Sequence, residues 1–321
     1  MSEPILAENP NRHTFLPIEH LDLYKLYKSL VSVRWIVEEV DMGRDAQQFE
    51  KLGKNEQHFV KCILGFFAGS DGIINENLCA NFSNEVQLPE ARAFYAEQMS
   101  NEVVHQETYC RLIDVYFTDK HEKLNVLQAI RTMPFVEKKA QWACKWISNK
   151  ASFASRLMAF AIVEGVFFSG AFCAIYYFKE RNLLPGLTLS NEFISRDEGL
   201  HTDFACALYR KLVHPMTQEE AHALFKEAVD IEKEFILESL PCSIIGMNSK
   251  LMSQYIEFVA DRLLCQLNYE RLWHSTNPFT FMERISLEGK DNFFEKKVSN
   301  YSLARSGKKE EEMMFSMDAE F

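Results

Sequence analysis

Apolar residues recur at three- and four-residue spacing through most of this chain, the period of a helix with one buried face. The pattern predicts helices over about residues 20–40, 55–86, 89–117, 134–149, 151–181, 187–212, 217–239 and 248–273. Pro89 stands at a helix start, where its missing N–H is no loss. Thr217 followed by Glu220 reads as a capping box. Alternating, strand-like runs are absent from the sequence. Several of these segments are about 25–30 residues long, or roughly 40 Å at 1.5 Å per residue. Long helices on short connections imply an antiparallel bundle, so the expected fold class is all-α.

The two ends break the pattern. Residues 1–19 carry Pro4, Pro10 and Pro17 and read as an extended segment. From Ser302 onward the chain is polar and charged, with too little apolar surface to order itself. Its last seven residues, Phe315–Phe321, mix aromatic and acidic side chains and fit a peptide that orders on docking to a partner. Residues 20–301 remain as one helical domain. Within it, residues 157–178 carry a single charge, Glu164, and are long enough to span a membrane. The mid-span charge, with Gly165 and Gly170, favours the central helix of a large bundle instead.

Composition narrows the function. The 46 acidic residues outnumber the 35 basic ones, giving a net charge of −11. That argues against nucleic acid or an anionic membrane as a partner. With only 12 Gly and 9 Pro, a turn-rich sandwich or barrel is disfavoured. No two of the eight cysteines stand closer than 17 residues, which excludes a CxxC zinc ribbon or redox pair. They read as reduced thiols of a cytoplasmic protein. The N-terminus, Met1-Ser2-Glu3-Pro4, has neither the basic nor the apolar region of a secretory signal.

The chemistry lies in two Glu-x-x-His motifs, Glu102–His105 and Glu198–His201. On a helix, positions i and i+3 share a face, so each motif presents a carboxylate beside an imidazole. Either motif alone is weak. A lone carboxylate precedes each at nearly equal distance: Asp71 lies 31 residues before Glu102, and Glu164 lies 34 before Glu198. A helical hairpin of that length returns the second motif opposite the first. This is the ligand layout of ferritin-like dimetal bundles, with Asp in place of one Glu. Four acids gathered in an apolar core need compensation, and divalent cations supply it. Oxygen-rich ligation with one imidazole per metal suits iron or manganese. Tyr109 follows His105 by four, which puts a phenol on the same helix face. Phe168 and Phe172 follow Glu164 at helical spacing, and Ile194 precedes Glu198 by four. They either line a dry pocket around Tyr109 or are plain core.

These blocks resemble the small, radical-generating subunit of class I ribonucleotide reductase, of the eukaryotic and large-DNA-virus type. The resemblance runs the length of the chain. It rests on Trp35 with EEVD, then FFAGSDGIINENL, EVVHQETY, AIVEGVFFSGAF, ISRDEGLHTDFAC, IEFVADRLL, NPFTFME, SLEGKDNFFEKKV and the terminal FSMDAEF. It implies a ferritin-like bundle with extra helices, a homodimer, and two iron ions per chain in a di-iron oxo centre, with manganese as the alternative metal. Asp71, Glu102 and His105 would hold one iron, and Glu164, Glu198 and His201 the other. Dioxygen would oxidise the centre, leaving a stable radical on Tyr109, with Phe168, Phe172 and Ile194 shielding it. Radical transfer would start at His105, pass Asp197 and Trp35, and use Tyr301 near the interface. Phe315–Phe321 would dock the large catalytic subunit, which reduces ribonucleoside diphosphates.

Two departures stand out. Arg34 precedes Trp35 where an apolar aromatic is usual, which questions the packing there. The chain also begins close to the first helix, so regulation through a long N-terminal extension is not expected. Two other readings compete. A di-iron or manganese–iron oxidase or ferroxidase would share the six ligands, but would leave Tyr109, Trp35, Tyr301 and the tail unexplained. A catalytically silent assembly subunit would be expected to have broken ligands, and none is broken.

Overall fold

A computed structural model describes residues 3–147, 151–239 and 248–282. Its elements are helices, and no strand occurs among the described residues. In chain order they are α1 (Leu21–Ser32), α2 (Asp45–Lys51), α3 (Lys54–Asn77), α4 (Ser83–Glu85), α5 (Pro89–Tyr116), α6 (Lys120–Leu127) and α7 (Ala129–Thr132). There follow α8 (Pro134–Ile147), α9 (Phe153–Ile162), α10 (Ser169–Glu180), α11 (Pro185–Tyr209), α12 (Gln218–Ser239) and α13 (Ser249–Gln266). Contacts divide the chain after Pro278, and only the first few residues of the second unit are described. The expected domain limit at residue 301, Tyr301 itself and the tail Phe315–Phe321 lie outside the described residues.

Four long elements carry the core: α3 packs on α5, and α11 packs on both α5 and α9. Glycine permits one close approach. A Cβ on Gly65 would stand 2.6 Å from the Cβ of Ala129, so α3 and α7 touch almost backbone to backbone. The apolar stretch Phe153–Glu180 is long enough to cross a membrane, but 94% of its most apolar window is buried inside the fold. It is the central helix, broken once by a wide π turn at Val163–Phe167. A second wide turn, Leu78–Phe82, follows α3.

Asp45 sets the register of the bundle. Its carboxylate accepts N–H bonds from Gly186 (2.9 Å) and Leu187 (3.0 Å) at the start of α11, and the Tyr116 hydroxyl at 2.7 Å from the end of α5. A negative charge at a helix N-terminus is worth up to about 2 kcal/mol where partly buried. One side chain of α2 thus ties together the two helices that carry the Glu-x-x-His motifs.

Two expectations of the pattern are corrected. The first helix does not run to residue 40. It ends at Ser32, and Trp35 stands in the connection beyond it. The guanidinium of Arg196 accounts for the stop, donating 2.8 Å to the Val33 carbonyl. The last helix ends at Gln266 rather than near 273. There the buried Asp261 carboxylate takes the N–H groups of Leu272, Trp273 and Ser275 and folds the chain back.

Candidate metal centre

The ligand candidates reach the core from four elements. Asp71 comes from α3, Glu102 and His105 from α5, Glu164 from the wide turn after α9, and Glu198 and His201 from α11. All six are buried. Their ligand atoms form two groups, Asp71–Glu102–His105 and Glu102–Glu164–Glu198–His201, each within 4.8 Å across. Glu102 faces both groups, which spacing along the chain could not reveal.

Seven polar atoms of this cluster lack an aligned hydrogen bond from the protein. Asp71 Oδ2, both Glu102 oxygens, Glu164 Oε2, Glu198 Oε1, His105 Nδ1 and His201 Nε2 are buried without an aligned hydrogen bond. His105 Nδ1 is 3.1 Å from Glu198 Oε1, and His201 Nδ1 is 3.1 Å from both Glu102 Oε1 and Glu198 Oε2. Leaving such groups unpaired costs several kcal/mol per charge. A pair of divalent cations fits the orphaned oxygens and nitrogens, and carboxylate-rich sites with one imidazole each suit iron or manganese.

The protons tell the same story. Burial, then repulsion from Glu102, pushes Asp71 well above the carboxylate range. Burial, then the Glu198 charge, does the same to Glu164. Burial opposes the charge on Glu198, but a hydrogen bond from Glu164 and the two imidazoles hold it well below that range. Burial opposes protonation of His105, but bonds to Asp197, Glu102 and Glu198 outweigh it and raise it well above its usual value. His201, against the same burial, is lifted to about 9 by Glu198 and Glu102. Without cations the cluster therefore holds protons in their place, and metal binding must expel them. The apparent affinity for Mn(II) should rise with pH through the neutral range and still be rising near 9, where only half of His201 has lost its proton. Calorimetric titrations in buffers of different ionisation heat check this. Affinity that is flat or falling over that range contradicts it.

Asp197 links the cluster outward. Its Oδ2 lies 3.3 Å from His105 Nε2 and accepts from Trp35 Nε1 at 2.7 Å. Burial opposes its charge, but His105 and Arg196 keep it ionised, below its usual value. A carboxylate on the far nitrogen fixes the tautomer of a ligating imidazole. The Trp35 ring stacks on His105 with centroids 6.1 Å apart. Arg34 does not disturb this packing: it pairs with Glu97, and its side chain is 62% exposed.

Tyr109 is buried on α5 with its hydroxyl unpartnered. Burial, then the Asp71 charge, holds its proton far above the ordinary phenol range. The ring stacked on it is Phe67, centroids 4.6 Å apart. Phe168 and Phe172 in turn pack on Phe67, at 5.5 and 5.4 Å. Ile194 is buried on α11, one turn before Glu198. Phe67 was not singled out by sequence, although it precedes Asp71 by four. Gln98 and Asn101 were also missed. They precede Glu102 and His105 by four, and they donate to Glu164 Oε1 (2.8 Å) and Asp197 Oδ2 (3.5 Å).

A helical bundle with two carboxylate–imidazole groups joined through one glutamate defines a ferritin-like dimetal carboxylate protein. The sequence model of the family "Ribonucleotide reductase, small chain" matches residues 12–278. The ribonucleoside-diphosphate reductase small chain of Trypanosoma brucei brucei is 54% identical, with 100% of this chain and 96% of that protein covered. The protein of the same name from Vaccinia virus (strain Western Reserve) is 51% identical, over 99% of this chain and all of its own length. Among solved structures, the ribonucleotide reductase Rnr4 homodimer from Saccharomyces cerevisiae superposes with a TM-score of 0.81 at 34% identity, covering 94% of this chain and 93% of that one. The chain belongs to the ribonucleotide reductase small-chain family.

Proposed function

We propose that this small chain generates and stores a radical on Tyr109, at a di-iron site, for a class I ribonucleotide reductase. The observation that carries the reading is the continuous set Tyr109, the two ligand groups sharing Glu102, and the path His105–Asp197–Trp35 away from them. When bound, the two metal ions supply the dioxygen-dependent oxidising power that a tyrosine requires. The chain supplies the rest. Asp71, Glu102 and His105 hold one ion, and Glu164, Glu198 and His201 the other, with Glu102 between them. Phe67, backed by Phe168 and Phe172, keeps the phenol dry, and Ile194 closes the same region. Asp197 orients His105 and holds the indole N–H of Trp35, so an electron and its proton have a hydrogen-bonded route. We take iron as the metal, with manganese the alternative on the same ligands.

The route favours a reductase subunit over an oxidase or ferroxidase, which has no use for an outward path. The intact ligands disfavour a silent assembly subunit. Trp35→Phe is the direct test of the path. The variant is expected to take up metal and form the tyrosyl signal, yet to lose ribonucleotide reduction when mixed with the large subunit. Turnover at the wild-type rate would remove Trp35 from the path.

By analogy with the yeast homodimer, this chain is assigned as a homodimer. Phe315–Phe321 is assigned as the docking peptide for the large subunit, and Tyr301 as the carrier near that interface. Deleting residues 315–321 should abolish reduction in the mixed assay while leaving the radical signal intact. Undiminished turnover would end the docking role. None of the cysteines among the described residues is paired, which accords with a reducing compartment, and we place the chain in the cytoplasm.

A further inference from the structure

The fold buries a second charged pair away from the ligands. Lys139 on α8 and Glu232 on α12 are fully buried, with Nζ 2.6 Å from Glu232 Oε2. The ammonium lies 3.5 Å from the ring centre of Phe66 and 3.9 Å from that of Phe235. Burial pulls Lys139 down to about 8 against the pull of Glu232, and lifts Glu232 to about 7 against that of Lys139. Such a pair adds little to stability, because apolar residues of similar volume generally serve as well or better. Its position indicates another task.

Lys139 Nζ also donates 2.7 Å to the carbonyl of Phe167, the last residue of the wide turn Val163–Phe167 that carries Glu164. A π turn departs from the regular i→i+4 ladder. Side chains bond its last two carbonyls: the Ser169 hydroxyl donates 2.7 Å to Val166, and Lys139 takes Phe167. Glu232 lies against the chain just past the turn, where a Cβ on Gly170 would stand 2.7 Å from its Oε1. α8 and α12 thus both grip the turn, through one lysine and the acid that holds it.

We propose that Lys139, held by Glu232, is a positioning residue that fixes the register of the π turn and so aims the Glu164 carboxylate at its metal group. The inference rests on the reading of Glu164 as a ligand. Its consequence is selective: loss of the lysine bond should weaken the group containing Glu164 and spare the one built on Asp71.

The test uses the full chain and Mn(II) alone, following the paramagnetic signal of the free ion, with thermal unfolding measured on the same samples. K139M/E232M removes both charges together, so neither is left buried alone. It is expected to unfold at or above the wild-type temperature. It should lose about 10–100-fold in affinity at one of two Mn(II) sites, the range for residues that orient ligands. Glu232→Gln keeps the lysine, its bond to Phe167 and a polar partner for the ammonium, and should lose less affinity at that site than K139M/E232M. Should K139M/E232M fail to fold, K139M/E232Q, which keeps a polar group at 232, is read in the same way. Wild-type affinity at both sites in a folded double variant overturns the proposal, as does an equal loss in Glu232→Gln. A wild-type chain that fails to take two Mn(II) overturns the ligand reading itself, and the positioning role with it.

Discussion

Tyr109→Phe is expected to bind a full complement of metal, to give no tyrosyl radical and to support no ribonucleotide reduction. The substitution keeps the ring that stacks on Phe67 and removes only a hydroxyl. That hydroxyl is buried without a hydrogen-bond partner, so its loss leaves no new orphan. Stability should change by less than about 1 kcal/mol, since nothing is left unsatisfied. Oxidation, by contrast, has no phenol to act upon. The expected loss of activity is complete and separable from folding and from metal content, which atomic absorption measures on the same sample. Residual turnover above background would take the radical role away from Tyr109.

Glu102→Gln should have the larger effect on metal. The carboxylate faces both ligand groups, so its charge is withdrawn from both ions at once, whereas Asp71 faces one. Orienting residues cost 10–100-fold in metal affinity, and a direct ligand exceeds that, so more than about 100-fold is expected at each ion. Asp71→Asn should lose one ion and retain the other. The metal-free proteins should differ little. Glu102 repels Asp71 and Glu164 but attracts the protonated His201 and His105, so removing it relieves one and gives up the other. Metal-free Glu102→Gln should therefore stay close in stability to metal-free wild type. Equal metal loss in Glu102→Gln and Asp71→Asn would contradict the shared position of Glu102.

The long helices were legible because their apolar periodicity is sustained over many turns. So were the two Glu-x-x-His motifs and their partner carboxylates, whose near-equal spacing survives folding as a pair of hairpins. Trp35 was placed wrongly on a helix because SVRWIVEEV contains no Gly or Pro to mark a stop. The stop comes from Arg196, more than 160 residues away in sequence. The shared role of Glu102 is a relation between helices and has no local signal. Nor does composition mark the π turn at Glu164. Phe67 could not be told from Phe66, its neighbour in the same run, until the helix orientation chose between them: Phe67 stacks on Tyr109, and Phe66 on the Lys139 ammonium. The short helices α2, α6 and α7 were missed, being too brief for periodicity to register.

The central claim is tested most directly by electron paramagnetic resonance on metal-free protein given ferrous iron and then oxygen, with iron counted in the same sample. A tyrosyl doublet accompanied by about two irons per chain, the load of a dimetal bundle site, is the predicted result. Full iron uptake with no radical, repeated with manganese and again silent, would contradict it and leave an oxidase or ferroxidase on the same bundle.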